Sequence, residues 1–402
     1  MSGPVPGTPS LLRAINDRAA LQALLERGPL TRPEIGALTG LSKPTASQLL
    51  LRLQQAGLVV QDGVREGLPG RTAEVYRINP EAAYVAALDV TPARIEAKVA
   101  DITGTVVGEH VLPTPRRPHG ELVDRLAAAL RGANPPDKPR RVVSRVVIGV
   151  QAAIDPATGR LGYAAAKDVP GWQLPDLVPT LSAGLGAPVD VENNVNLVAV
   201  AEQAHGAARG RQDFVLLWAD EGIGSAIVLG GRMHRGATGG AGEVGYMPTP
   251  GAPTAREAGR YANHGYQALT GGPAVLKLLR SYGVRGSDFR QAVAGAVRAA
   301  AGTGKKAEDA RAGLRDVAAR LAVGLAAITS VVDPGLIVLT GGVVLPGGET
   351  LRELVEHELH ALTIPQPPVR LSSVEGNPVL AGALDLGLAA VRDEVFRSTV
   401  PS

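Results

Sequence analysis

The sequence predicts an α/β protein in two parts, a small helical module at the N-terminus and a larger domain of two similar lobes. Three observations support this prediction. Residues 31–57 contain two short capped helices joined by a tight turn, residues 84–113 are rich in strand-forming residues, and a second strand-rich region begins near residue 213. At 402 residues the chain is long enough for each part to bury its own core.

The first predicted helix covers residues 11–26 and follows a tail, residues 1–10, that is rich in Ser, Pro and Gly. We expect the tail to be disordered because it has too few apolar residues to pack. The helix is expected to bury an apolar stripe formed by Leu12, Ile15, Ala19, Leu21, Leu24 and Leu25.

Two further helices follow in residues 31–57. Thr31 and Glu34 have the spacing of a capping box, in which each side chain bonds the backbone amide of the other residue. This helix is expected to end near Gly40, and Ser42 is a second N-cap. The next helix should bury Leu49, Leu50 and Leu53 and stop before a left-handed Gly57. The spacing predicts a helix-turn-helix.

The residues that follow are typical of a wing, with a strand at 58–63, a turn-rich loop at 64–73 and a strand at 74–80. A winged helix-turn-helix over residues 11–80 indicates DNA binding, with the second helix in the major groove. The expected contacts to phosphates and base edges are Arg32, Ser42, Lys43, Thr45, Ser47 and Gln48, with Arg65 and Arg71 on the wing.

An ordinary helical hairpin is the alternative interpretation of these helices. The charge distribution favours DNA. Residues 1–80 hold nine Lys and Arg against six Asp and Glu, and this net charge of +3 equals that of the whole chain.

Composition excludes several classes of protein. The chain has no cysteine, so disulfides and thiolate metal sites are impossible. The N-terminus lacks the basic and apolar segments of a secretory signal, and no apolar stretch is long enough to span a bilayer. We therefore expect a cytoplasmic protein with no membrane partner.

Residues 81–402 read as two rounds of a β-meander followed by alternating helices and strands. The first round is predicted over about 81–210 and the second over about 211–402. Helical regions are expected at 255–332, at 349–361 and at 379–395. Two α/β lobes with a cleft between them follow from this repetition.

Four separated segments in this domain carry a recognisable pattern: GVQAAIDPATGRLGYAAAKDVPGW, VDVENNVNLVAVAE, EGIGSAIVLGGRMHRGATGGAGEVGY and LIVLTGG. Together they resemble the ROK family of repressors, sugar kinases and unassigned reading frames. The resemblance implies a two-lobed, actin-like sugar kinase fold for residues 81–402. It also agrees with the N-terminal module, because ROK repressors carry a winged helix-turn-helix that ROK kinases lack.

The chain departs from the kinases of this family at their chemical positions. Their phosphate loop Asp-x-Gly-Gly-Thr is here Asp89, Val90, Thr91, Pro92 and Ala93, so both glycines are lost and proline has no N–H to offer.

Two further positions differ. Glu221 stands where the kinases usually have threonine, and its carboxylate would repel a polyphosphate. The aspartate that serves the kinases as general base is here Asn194, which has no usable basicity. The resemblance therefore implies no catalytic residue, no bound nucleotide cofactor and no enzyme activity.

The zinc site of many ROK proteins is also absent from the sequence. Their Gly-Glu-x-Gly-His motif reads Gly242 to Tyr246 here, so tyrosine replaces the histidine ligand, and no cysteine is available. We predict no metal.

The resemblance implies a set of sugar contacts at Asn193, Asn194, Glu243, Tyr246 and, less securely aligned, Gln267. All five side chains can donate or accept hydrogen bonds, which suits a polyol. The alternative is that they are buried polar groups satisfied by the protein itself.

These observations predict a DNA-binding transcriptional regulator of the ROK type, repressor-like, with an inactive kinase-like domain that senses a sugar or sugar phosphate. Its expected partners are double-stranded DNA with an inverted-repeat operator, the small-molecule effector, and further copies of the chain in a dimer or tetramer. Two alternatives stay open: a sugar kinase with an added DNA-binding domain, and a regulator with a non-sugar or protein effector.

Overall fold

The computed structural model of the chain describes residues 9–66, 72–114, 121–135, 141–163, 171–174, 176–258 and 265–397. The predicted disordered tail lies largely outside these residues. Its last two residues, Pro9 and Ser10, belong to the first helix.

The N-terminal module consists of three helices and a small antiparallel sheet with strand order β1-β3-β2. Its elements are α1 (Pro9–Arg27), β1 (Leu30–Thr31), α2 (Arg32–Thr39), α3 (Lys43–Gln55), β2 (Val59–Glu66) and β3 (Thr72–Ile78). The predicted winged helix-turn-helix is confirmed.

The local signals of the module behave as the sequence predicts. The capping box of Thr31 and Glu34 is present, with the Thr31 amide donating to the Glu34 carboxylate at 2.7 Å. Gly40 and Gly57 have φ angles of 70° and 71°, in the left-handed region where glycine is favoured. Ser42 accepts a hydrogen bond from the Thr45 amide as the second N-cap.

Two details of the module differ from the prediction. Leu12 and Ile15 are 55% and 54% exposed, because they lie on the face of α1 opposite Leu21 and Leu24, which pack into the module. Ala19 lies on the same outer face and is also exposed. Arg65 lies within β2 and not in the loop, because the strand continues to Glu66.

The larger domain contains two five-stranded sheets of the same topology, each with a meander on one side and two parallel strands on the other. The first sheet has the order β10-β7-β4-β5-β6. Its region consists of β4 (Tyr84–Val90), β5 (Arg94–Asp101), β6 (Val106–Pro113), α4 (Leu122–Ala133), β7 (Val143–Val150), β8 (Ala153–Ile154), β9 (Leu161–Gly162), α5 (Leu177–Leu185), β10 (Val189–Asn193) and α6 (Asn194–His205).

The second sheet has the order β13-β12-β11-β14-β15. Its region consists of β11 (Phe214–Ala219), β12 (Ile223–Leu229), β13 (Arg232–His234), α7 (Ala255–Ala258), α8 (Gln267–Thr270), α9 (Gly272–Ser281), α10 (Phe289–Ala300), α11 (Lys305–Val332), β14 (Ile337–Thr340), α12 (Gly348–Leu362), β15 (Val369–Leu371) and α13 (Pro378–Arg397). The duplicated two-lobed architecture is thus confirmed.

The last helix packs across the expected boundary between the two lobes. Although α13 follows the second sheet in sequence, it packs on β4 and β7 of the first sheet and on α6, while α6 also packs on β12 of the second. The reason is that α13 has a broad apolar face: Val379, Leu384 and Leu388 are all buried and together span about half of the helix circumference. Residues 211–402 therefore do not pack as one lobe.

The DNA-binding module and the larger domain share one continuous apolar cluster, which contains Leu21 and Leu50 of the module together with Leu384 and Phe396 of α13. Arg18 on α1 also forms an ion pair with Asp393 on α13 at 2.8 Å. The module is therefore packed against α13. Among the helices of the described residues, none has the length and apolarity that a bilayer crossing requires.

Candidate functional site

The first candidate site is the exposed start of α3. Ser42, Lys43, Thr45 and Gln48 are exposed, and Ser47 is half-buried. The hydroxyl groups of Ser42 and Thr45 lie 2.8 Å apart in a hydrogen bond, and Ser47 donates to the Lys43 carbonyl at 2.9 Å. Within the described residues Lys43 and Gln48 make no side-chain hydrogen bond. Their side chains are thus the ones most available to a DNA groove.

The two described arginines of the predicted interface are engaged inside the module. Arg32 donates to Glu74 and to the Tyr76 hydroxyl, each at 2.9 Å. Arg65 donates to Glu34 at 2.8 Å and to the Pro29 carbonyl at 3.1 Å.

These contacts tie the wing to the start of α2. Hydrogen bonds from Thr31 and the nearby Arg65 guanidinium lower the pKa of Glu34, which keeps its carboxylate charged. Arg71, the other predicted wing contact, lies outside the described residues.

The second candidate site is a cavity of about 750 Å³ between the two sheets. The β4–β5 turn and the β11–β12 turn face it from opposite sides, and the starts of α6 and α13 complete its walls. Its size is typical of small-molecule sites.

Four of the five predicted sugar contacts line this cavity: Asn193, Asn194, Glu243 and Gln267. Tyr246 is absent from the lining. Its hydroxyl donates to the Tyr163 carbonyl at 3.1 Å, and the Tyr163 ring, which does line the cavity, packs edge-on against it.

The two asparagines at the start of α6 differ in their bonding. The Asn193 side chain caps the helix by accepting from the Val195 amide at 2.8 Å. Asn194 is 8% exposed, and its side chain makes no hydrogen bond within the described residues. A buried amide that faces a cavity without a partner is available to a ligand.

Glu243 is the second unpartnered polar group in the cavity. Its carboxylate makes no hydrogen bond to another described residue, and burial raises its pKa to about 7. Asp89, across the cavity, is 7% exposed and accepts a hydrogen bond from Asn377 at 2.9 Å, and burial raises its pKa as well.

The first of these turns, β4–β5, lies at the position of the kinase phosphate loop. Hydrogen bonds between residues of the turn hold it closed. The Thr91 amide donates to the Arg94 carbonyl at 2.9 Å, and the Arg94 amide donates to the Thr91 hydroxyl at 3.1 Å. Pro92 has no amide proton. Few backbone donors are left in this turn for a phosphate.

In the second turn, β11–β12, backbone amides donate to side-chain oxygens. The Glu221 amide donates to Asp220 at 2.9 Å and the Ile223 amide donates to Gln267 at 3.1 Å. The Asp220 carboxylate also accepts a hydrogen bond from the Gly342 amide, which follows β14, at 2.7 Å. The same carboxylate is ion-paired with Arg290.

Sequence reasoning missed several residues of the cavity, including Tyr163, Arg290 and Asn377. A signal for Asn377 was present, because Asn before Pro378 and an apolar helical run is a helix start, and Asn377 does cap α13. Tyr163 lies within the first of the four segments that carry the family pattern, although nothing in that segment marked the tyrosine as a cavity residue. Arg290 lies outside those segments, and no motif singled it out.

Comparison with known families gives two matches. The ROK family model matches residues 85–389, and the MarR family model matches residues 16–70. The ROK match covers most of the chain.

Individual proteins agree with these matches. The chain is 24% identical to the xylose repressor of Bacillus subtilis over 242 residues, which is 59% of this chain and 61% of the repressor. The chain thus spans about six tenths of the length of the curated relatives it matches.

Two solved structures are similar to this fold. A ROK hexokinase from Thermus thermophilus has 28% identity and a TM-score of 0.62, covering 77% of this chain and 99% of the hexokinase. A ROK family transcriptional regulator, described as a homologue of the E. coli MLC protein, has 17% identity and a TM-score of 0.71. That likeness extends over 97% of this chain and 99% of the regulator, and it is a likeness of fold, including the N-terminal module.

Proposed function

The chain belongs to the ROK family, and we propose that it is a repressor-like, DNA-binding transcriptional regulator whose kinase-like cavity senses a sugar and does not phosphorylate it. One observation carries the proposal. A MarR-type winged helix with an exposed α3 face is packed onto a kinase-like domain that has Asn194 at the position of the catalytic base.

Loss of phosphoryl transfer is supported by the groups that surround the cavity. A kinase needs a base for the attacking hydroxyl and donors for the γ-phosphate. Asn194 cannot accept the proton, and four amides of the two turns are already used in hydrogen bonds within the protein, those of Thr91, Arg94, Glu221 and Ile223. The relative from Bacillus subtilis carries the name xylose repressor, which agrees with a regulatory role for this chain.

Sugar sensing is supported by the cavity itself. Asn194 is buried and Glu243 is partly buried, and neither side chain has a hydrogen-bond partner in the described part of the chain, so a polyol would satisfy them with hydrogen bonds.

Helix α13 offers a route from the cavity to the DNA-binding module. Asn377 and Pro378 at its start line the cavity, and Asp393, near its end, pairs with Arg18 of α1. A helix of 20 residues is about 30 Å long and moves as a rod. A ligand that displaces Asn377 would therefore shift α1, and with it the spacing of two modules in a dimer.

Selection of duplex DNA from a random pool by the purified full chain tests the proposal. We expect an enriched inverted repeat, since two half-sites bind one dimer, and a tetramer would be a dimer of such dimers. The variant Lys43→Ala with Gln48→Ala should bind the selected DNA at least tenfold more weakly. The matched control is Gln55→Ala, which changes an exposed residue at the opposite end of α3. Absence of any enriched sequence would refute the proposal.

An active sugar kinase with an added DNA-binding module is the second candidate. One observation favours it: burial raises the pKa of Glu243 to about 7, within the range of a general base. Sugar-dependent release of ADP from ATP would establish this candidate in place of the sensor.

A regulator with a non-sugar or protein effector is the third candidate. It predicts no increase in thermal stability with any sugar, since a ligand that binds the native state must raise its apparent stability. Both regulatory candidates, the sugar sensor and the regulator with another effector, bind chromosomal DNA and would therefore act in the cytoplasm.

A further inference from the structure

The cavity lies beside the two turns that correspond to the phosphate loops of the kinases, yet its ionisable lining residues are mainly acidic. Five carboxylic acids and two arginines line it. A phosphorylated ligand would need at least one cation free to pair with its phosphate.

Neither arginine of the lining is free. Arg94 is ion-paired with Glu96, its neighbour on β5. Arg290 is ion-paired with Asp220, which also holds the Gly342 amide at 2.7 Å. Both pairs are partly exposed, and in each pair a carboxylate already neutralises the charge of the guanidinium.

The three remaining carboxylic acids have no cationic partner within the described residues. Asp89 is bonded to the Asn377 amide, and Glu243 makes no side-chain hydrogen bond. Glu221 is exposed at the second turn, where the family resemblance places a threonine in kinases. The second turn thus carries an exposed carboxylate, that of Glu221, which has no cationic partner among the described residues.

The uncharged part of the lining suits hydroxyl groups. Asn194 is more than nine-tenths buried, faces the cavity and has no side-chain partner in the described part of the chain, so it can both donate to and accept from a sugar hydroxyl. Gln151, beside it in the cavity wall, adds a second amide.

We propose that the ligand of this cavity is an unphosphorylated sugar, and that Glu221 is the residue that excludes sugar phosphates. This inference rests on the proposed sensing function and narrows it. The carboxylate of Glu221 repels a phosphate at the turn, while the buried amide of Asn194 binds hydroxyl groups regardless of ligand charge.

Calorimetric titration of the full chain with matched pairs tests the inference. The pairs are D-glucose with D-glucose 6-phosphate, D-mannose with its 6-phosphate, and N-acetyl-D-glucosamine with its 6-phosphate. For any sugar that binds, we expect its phosphate to bind at least tenfold more weakly at 50 mM salt. The difference should shrink at 500 mM salt, because salt screens the repulsion.

The variant Glu221→Gln should reduce this discrimination several-fold and leave the affinity for the unphosphorylated sugar unchanged. Glu308→Gln is the control, because it removes an equal charge from the exposed start of α11, outside the cavity. A discrimination that Glu221→Gln leaves intact would overturn the role of Glu221.

Other outcomes distinguish a failure of this inference from a failure of the proposed sugar sensing. If a sugar phosphate binds as tightly as its parent sugar, or more tightly, the inference is overturned and sugar sensing stands. If no member of any pair binds while the chain still selects an operator, sugar sensing and the inference are both overturned.

Discussion

Glu243 gives the sharpest stability prediction, because burial raises its pKa from 4.5 to about 7. Between those values the native state holds a proton that the unfolded chain releases, so native stability falls as pH rises through this window. A tenfold change in a protonation equilibrium corresponds to about 1.4 kcal/mol, which makes the loss between pH 5 and pH 8 about 2 to 3 kcal/mol.

The perturbation is Glu243→Gln, which keeps the shape of the side chain and removes the ionisation. We expect this variant to be more stable than the parent at pH 8 and close to it at pH 5. Urea unfolding followed by circular dichroism at the two pH values measures the difference directly.

The matched control is Glu308→Gln, which removes a carboxylate from an exposed position. It should keep the parent's loss of stability between pH 5 and pH 8. If Glu243→Gln also keeps that loss in full, then the Glu243 carboxyl is not desolvated and the reasoning is refuted.

Three further predictions concern other parts of the chain. Restoring a carboxylate with Asn194→Asp should not produce sugar-dependent ADP release, because the turns still lack phosphate donors, and any sustained turnover would show that the base alone was missing. Glu202→Ala should lower the free energy of unfolding by about 3 kcal/mol or more in urea titrations, because the fully buried carboxylate accepts hydrogen bonds from Ala207 and from Ser372 to Val374. A change in the free energy of unfolding below 1 kcal/mol would mean that water replaces the hydrogen bonds of the Glu202 carboxylate. Arg18→Ala should change stability by less than about 1 kcal/mol, since the pair with Asp393 is exposed, yet weaken the effect of bound sugar on operator affinity. An unchanged sugar effect would exclude this contact as a coupling element.

Short-range sequence patterns were enough to predict the helices of the DNA-binding module. The capping box of Thr31 and Glu34 and the left-handed Gly40 and Gly57 were readable from the sequence, because a helix end is fixed by residues within one turn of it. The inward-facing Leu49, Leu50 and Leu53 followed from helical spacing alone.

The same rules did not reveal which surfaces pack together. Leu12 and Ile15 are apolar, yet they are exposed because the module packs against the opposite face of α1, where Leu21 and Leu24 lie. Arg65 looked like a free wing cation, but Glu34, 31 residues earlier in the chain, is its partner. Burial and ion pairing between distant residues depend on the fold and not on spacing.

For the cavity, family resemblance supplied the residue positions, and the structure supplied their environments. The sequence by itself determined that Asn194 replaces a base, that Pro92 removes an amide and that the chain has no cysteine. Only the tertiary structure decided that the Glu221 and Ile223 amides are already bonded, that burial raises the pKa of Glu243 and that α13 returns from the second sheet to the first. The physical reason is that residue chemistry is a property of each side chain, whereas solvation and bonding depend on neighbours that the fold brings from far along the chain.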